Sequence, residues 1–158
     1  GNVATESAPK DIDIENEKTS RISLNIKRNR EKTAVSFFLN LGYSVKQSIG
    51  LVAALSFVSG MNTGENTDSR GIGDFTKLRY TELQKFSNDY EKFLIQLSFV
   101  AFELNGTQSS TNIRLLNSDR LENKGICYIV SKYYLGKPDS ASIKAIEKNA
   151  LNLVDRIS

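Results

Sequence analysis

Ser44-Val-Lys-Gln-Ser-Ile-Gly-Leu-Val-Ala-Ala-Leu-Ser-Phe-Val58 is the stretch on which the fold turns. The Ser44 hydroxyl can accept a hydrogen bond from the free N–H groups of a first helical turn, which places a helix over roughly 45–58. Around that helix Val45, Ile49, Leu51, Val52, Leu55 and Val58 occupy most of the circumference. A surface helix carries one apolar stripe, so a helix apolar nearly all round belongs at the centre of a domain. It is too short to cross a bilayer, which takes about 20 such residues.

Upstream, Glu31 to Leu41 sets Ala34, Phe37, Phe38 and Leu41 on one helical face, and Gly42 follows where a left-handed residue stops a helix. Further back, Ile22, Leu24 and Ile26 alternate with Ser23, Asn25 and Lys27, the period of a half-exposed strand over 22–28. A lone strand is marginal in water, so it is expected to pair with a neighbouring domain or subunit. Residues 1–20 hold too few apolar groups to offset the entropy of ordering them. The chain therefore divides into an extended arm, 1–30, and a helical domain, 31–158. No basic stretch followed by an apolar one marks a secretory leader, and Gly1 in place of Met points to a fragment of a longer chain.

Downstream, a Gly-, Asn-, Thr-, Asp- and Ser-rich loop runs from Ser59 to Asp74, long enough to expect a function for it. Thr76 is placed to cap a short helix ending at Phe86, and Ser87 a longer one, Asn88 to Leu104. There Tyr90, Phe93, Leu94, Leu97, Val100, Ala101 and Leu104 follow helical spacing. Asn105-Gly106 ends it. A short helix near Thr111 to Leu116 follows, then one capped by Ser118 that carries Leu121, Ile129, Val130 and Tyr133. After Pro138, Ser140 opens a last helix with a stripe of Ile143, Ile146, Ala150, Leu153 and Ile157. The fold class is all-α, a compact domain of six or seven short helices after the arm.

Composition narrows the chemistry. The 158 residues fit one domain, and with no His there is no imidazole base, no His-activated nucleophile and no His-ligated zinc. Catalysis would rest on carboxylates, Lys or Tyr. The single Cys127, inside Ile126-Cys-Tyr-Ile-Val130, excludes an internal disulfide and reads as a small core residue. No metal and no cofactor are expected. A net charge of +3 and a pI near 9.0 give mild attraction to polyanions such as phosphate-rich surfaces or teichoic acids. The one dense basic cluster, Arg21, Lys27, Arg28, Arg30 and Lys32, lacks interleaved aromatics, so nucleic acid is not an expected partner.

Taken in order, four stretches resemble the phage tail lysozyme family, the lysozyme-like muramidase domains of bacteriophage tail proteins. Leu41-Gly-Tyr-Ser-Val-Lys-Gln-Ser-Ile-Gly-Leu-Val52 is similar to that family's entry into its central helix. Ser59-Gly-Met-Asn62, with Ser69-Arg-Gly-Ile-Gly-Asp-Phe-Thr-Lys-Leu-Arg79, resembles its "E-S-G-L-N-P" and "S-x-G-[LI]-A-Q-W-T-x-x-R" segments. Gln96-Leu-Ser-Phe-Val-Ala-Phe-Glu-Leu-Asn105 is similar to "Q-L-x-F-[VL]-x-x-E-L", and Tyr133-Tyr134 with Pro138 stands where the family has "Y-E-x-P". The likeness covers about residues 33–157. It implies a lysozyme-like helical fold, a setting in a phage or prophage tail or baseplate, and peptidoglycan as a contact. Other tail or baseplate proteins, or further domains of the parent chain, would then dock on the 22–28 strand.

The resemblance also implies a general acid, because an oxocarbenium-like transition state needs its leaving oxygen protonated. The family places that Glu at the end of the central helix, where this chain has Val58. The acidic position of "Y-E-x-P" falls on Leu135 or Gly136, and Asp74-Phe75 replaces Gln-Trp. The expectation is a retained scaffold without hydrolysis. Asp74, Glu65 and Glu103 are the weak candidates for a displaced acid; Asp68 shares the loop with Glu65. For Glu103 a pairing with a basic side chain is the plainer reading. A glycan groove would be lined by Ser59, Asn62, Ser69, Arg70, Asp74, Phe75 and Tyr134. An active muramidase with a displaced carboxylate, and an unrelated helical adaptor, are the alternatives.

Overall fold

The structure, a computed structural model, describes residues 10–64, 68–118 and 125–157, with side chains from residue 20 onward. Seven α-helices follow in chain order: α1 (Lys10–Asn40), α2 (Val45–Ser59), α3 (Lys77–Phe86), α4 (Phe93–Leu104), α5 (Ser109–Leu116), α6 (Ile126–Ile129) and α7 (Ser140–Ile157). A π-helical turn, Val130–Tyr134, continues α6. No strand occurs among the described residues.

The helix expected around residues 45–58 is α2, and it is central. All ten residues from Gln47 to Ser56 are buried. Its entry is a reciprocal cap in which Gln47 N–H donates to the Ser44 hydroxyl at 3.1 Å and Ser44 N–H donates to Gln47 Oε1 at 2.9 Å. Gln47 also donates from Nε2 to the Leu115 carbonyl at 3.1 Å, fixing α5 to the start of α2. Gly50 lets α6 press against α2: a Cβ there would collide with Ile126. α1 and α7 flank α2 on its other sides, and α4 joins α3 and α5 to this frame.

The strand expected at 22–28 is helix instead, part of α1. From residue 10 to residue 41 the chain has no Gly or Pro, and Glu, Lys and Arg recur through it, so nothing breaks the helical ladder. Three alternating apolar residues do not outweigh that. On a helix a spacing of two turns the side chain about 200°, which scatters Ile22, Leu24 and Ile26, and they stay 60%, 49% and 46% exposed. The expected division at residues 30 and 31 falls inside α1. Ala34 and Phe38 enter the core, whereas Leu41 lies outside it, half exposed.

The helix expected from Asn88 starts at Phe93. Residues 88–91 form a turn in which Asp89 N–H donates to the Ser87 hydroxyl at 3.0 Å, because Asn and Asp next to Ser favour local side-chain bonds over a helical turn. Thr76 caps α3 as expected, accepting from Arg79 N–H. α7 begins at Ser140, but Asp139 caps it, its carboxylate accepting from Ser142 N–H at 2.9 Å. The helix expected after Ser118 passes through residues 119–124, outside those described; Ile129, Val130 and Tyr133 lie in α6 and the π turn. The α7 stripe faces the body, with Ile146 and Leu153 fully buried.

Candidate functional site

The last turn of α2 turns sharply into the loop. Gly60 (φ 62°) and Met61 (φ 63°) are both left-handed, and Gly60 N–H donates to the Ser56 carbonyl at 2.7 Å. Gly carries that conformation without strain; Met61 carries it because its side chain is completely buried. Ser59 holds the turn: its hydroxyl lies 2.6 Å from the Ile72 carbonyl and accepts from Met61 N–H at 3.1 Å. Arg30 of α1 donates to the Met61 carbonyl at 3.0 Å and lays its guanidinium over the Phe93 ring at 5.3 Å.

Between α1 and this turn is a cleft of about 320 Å³, lined on the α1 side by Ser23, Leu24, Ile26, Lys27 and Arg30 and opposite by Ser59 through Asn62. It offers an ammonium, a guanidinium, hydroxyls and an amide, and no carboxylate among its described residues. Val58 stands half-buried on the same turn. These groups can hold polar or anionic groups, but none of them is a neutral-pH proton donor to a glycosidic oxygen.

Of the residues expected along a groove, only Ser59 and Asn62 line this cleft. Asn62 accepts from Gly64 N–H at 2.9 Å, and Ser69 donates to the Gly71 carbonyl at 2.9 Å, so both serve the loop's own turns. Arg70 is exposed, its backbone N–H donating to the Asp74 carboxylate at 3.3 Å. Asp74 is itself exposed and left-handed (φ 43°). Asp68 is exposed. Phe75 and Tyr134 do not line a groove: at 1% and 2% exposure they are core residues. An aromatic ring beside two glycines and a helix gains more by burial against Phe99, 5.3 Å away edge to face, than by facing water. Glu65 lies outside the described residues.

Glu103 is buried and fully engaged. Arg79 grips it with two parallel bonds, Nε to Oε2 and Nη2 to Oε1, each 2.7 Å, and the Tyr134 hydroxyl donates to Oε1 at 2.7 Å. Arg79 also donates to the Tyr134 carbonyl at 3.1 Å, and its guanidinium lies 5.1 Å from the Phe75 ring centroid and 4.7 Å from that of Tyr134. Burial opposes the Arg79 charge, yet the bonds to Glu103 outweigh it and hold the pKa above its ordinary value. Burial, then the Glu103 charge, pushes the Tyr134 phenol well above 10. A carboxylate so paired is a structural anchor, as its plainer reading had it.

Sequence reasoning missed two polar anchors. Gln96, completely buried, accepts from Ile72 N–H at 2.8 Å and donates to the Thr63 and Tyr90 carbonyls at 3.1 and 3.0 Å. One amide thus ties both arms of the loop to α4. A lone Gln among the apolar residues of α4 is the signal that could have shown it. The other is Glu31, completely buried in α1, which receives Arg156 Nη2 at 2.8 Å and the Ser56 hydroxyl at 2.8 Å. No local pattern links residues so far apart.

A larger cavity than the cleft lies elsewhere, an apolar groove of about 430 Å³ lined by Val45, Ile49, Ile126, Cys127, Leu151 and Val154 among others. Burial, then Glu147, pushes the Cys127 thiol up to about 11, leaving it protonated and unreactive at neutral pH. Among the described residues no three His, Cys, Asp or Glu side chains gather as a metal site, and no helix is long and apolar enough to cross a membrane. No family model, no curated protein and no solved structure matches the chain.

Proposed function

We propose that this chain is a non-hydrolytic module of the phage-tail-lysozyme type, structural and peptidoglycan-contacting, in a phage or prophage tail or baseplate protein. One observation carries the reading: the cleft at the end of the central helix is lined by basic, neutral polar and apolar residues with no carboxylate among those described, and the residue at the expected acid position is Val58. The two described carboxylates weighed as substitutes support it, since Glu103 is committed to Arg79 and Tyr134, and Asp74 is exposed and does not line the cleft. Losing a general acid forfeits about 10² to 10⁴ in rate. Other tail proteins or domains of the parent chain would dock on the exposed part of α1, where Ile22 and Ile26 stand one helical turn apart.

The test is sedimentation with purified peptidoglycan sacculi beside an assay of reducing-end release, for the wild type and Val58→Glu. The wild type should co-sediment and release no reducing ends, and slow release by Val58→Glu would identify the lost acid position. Release by the wild type overturns the reading in favour of an active muramidase with a displaced carboxylate, and Asp74→Asn then tests where that acid lies.

A further inference from the structure

Away from the cleft, two cations converge on one aromatic ring. Arg114, near the end of α5, lays its guanidinium carbon 4.3 Å from the Tyr133 ring centroid. Lys132 sets its ammonium 5.2 Å from the same centroid and 5.5 Å from that of Tyr128. It donates to the Tyr128 hydroxyl at 3.1 Å, and the two tyrosine rings meet edge to face at 6.3 Å. Both cationic side chains are exposed, and both rings are half-buried.

Two like charges against one ring lie within the Debye length, about 10 Å at 0.1 M salt, so each feels the other. Neither forms an ion pair with a described carboxylate. What holds them is the negative face of the rings and one phenol oxygen. The backbone contributes through the π turn: Leu135 N–H reaches back to the Val130 carbonyl at 3.0 Å, burying Val130, Ser131 and Tyr134 while turning Lys132 and Tyr133 outward beside Arg114. Such turns recur at functional sites.

We infer that Arg114 and Lys132, held by Tyr133 and Tyr128, form a binding site for a terminal phosphate group. A guanidinium stacked by its face keeps its N–H edge free, and that planar fork matches two phosphate oxygens. Lys132 gives one of its three N–H groups to Tyr128 and a second faces Tyr133, which leaves one for a third oxygen. A carboxylate brings one charge against two cations and leaves one of them uncompensated; a phosphomonoester brings three oxygens and about −1.5 to −2 charge. The inference stands apart from the reading of the cleft and does not depend on it.

NMR titration of the ¹⁵N-labelled chain, in phosphate-free buffer at low salt, tests it with inorganic phosphate, glucose 6-phosphate and acetate as probes. Both phosphates should shift the amides of residues 113–116 and 128–134, with acetate at least about tenfold weaker. Glucose 6-phosphate binding more tightly than inorganic phosphate marks a ligand-borne phosphate; equal affinity marks recognition of the free anion. The double variant Arg114→Gln/Lys132→Gln, whose replacements are exposed and spare the core, should weaken binding at least about tenfold. Tyr133→Leu keeps both charges and should weaken it severalfold. Unchanged affinity in the double variant, acetate matching phosphate, or shifts scattered over the basic surface would each overturn the assignment.

Discussion

Two buried carboxylates are held in nearly the same way on different sides of the molecule. Glu103 of α4 and Glu31 of α1 each receive Nε and Nη2 of one arginine and the hydroxyl of one neighbour. The differences lie around the arginines. Arg79 contacts the Phe75 and Tyr134 rings and adds a bond to a carbonyl. Arg156, on the last turn of α7, shares its second nitrogen with Asn149, which in turn donates to the Ala53 carbonyl at 2.8 Å. One pair links residues 24 apart and fastens α3 to α4; the other links residues 125 apart and closes α7 onto α1. The same chemistry serves as an internal rivet in one place and as a clasp between chain ends in the other.

Burying an ion pair gains little over an apolar pair of equal shape, but removing one partner strands the other charge. Arg79→Met should therefore have the largest effect, a loss of about 3 to 5 kcal/mol in urea denaturation, since it leaves Glu103 with Tyr134 alone and also empties the space against two rings. Restoring neutrality with Glu103→Gln in the same chain should recover part of that loss. Arg156→Met should cost less, about 3 kcal/mol. Its mark should be regional: native-state hydrogen exchange should quicken first in the last turns of α7, while α3 and α4 stay protected. Equal losses and uniform exchange in the two variants would erase the distinction between rivet and clasp.

A smaller effect separates the two sites by pH. Tyr134 titrates well above 10 in the folded chain and near 10 when unfolded, so its contribution is complete below pH 10 and is lost as pH rises beyond it. Ser56, its counterpart beside Glu31, does not titrate. Cys127, moved from 9.0 to about 11, adds stability that is full below pH 9 and fades between pH 9 and 11. Thermal midpoints measured from pH 8 to 11.5 should therefore fall above pH 9 in the wild type. Cys127→Ala should remove the early part of the fall and Tyr134→Phe should flatten the later part, whereas Arg156→Met should leave its shape unchanged.

The legible features were the local ones. Ser44, Thr76 and the all-round apolar pattern of α2 read correctly because caps and periodicity involve residues within a turn of each other. The alternation at Ile22, Leu24 and Ile26 misled because three residues of strand period weigh less than the unbroken helical sequence around them. At the site, Glu103 was legible as a carboxylate needing a cation, but its choice of Arg79 was not. Phe75, read as a groove residue from the resemblance that sets Asp74-Phe75 against Gln-Trp, is core because the loop before it folds back on α4 through Gln96.

Residue order alone therefore settled the helical class and the central place of α2, both of which follow from side-chain identity and short-range spacing. Folding decided which charges meet: Glu31 with Arg156, Glu103 with Arg79 and Tyr134, Arg114 with Lys132 across Tyr133. These pairings depend on how helices distant in the chain cross, and burial then sets their strength by removing the water that would otherwise screen them.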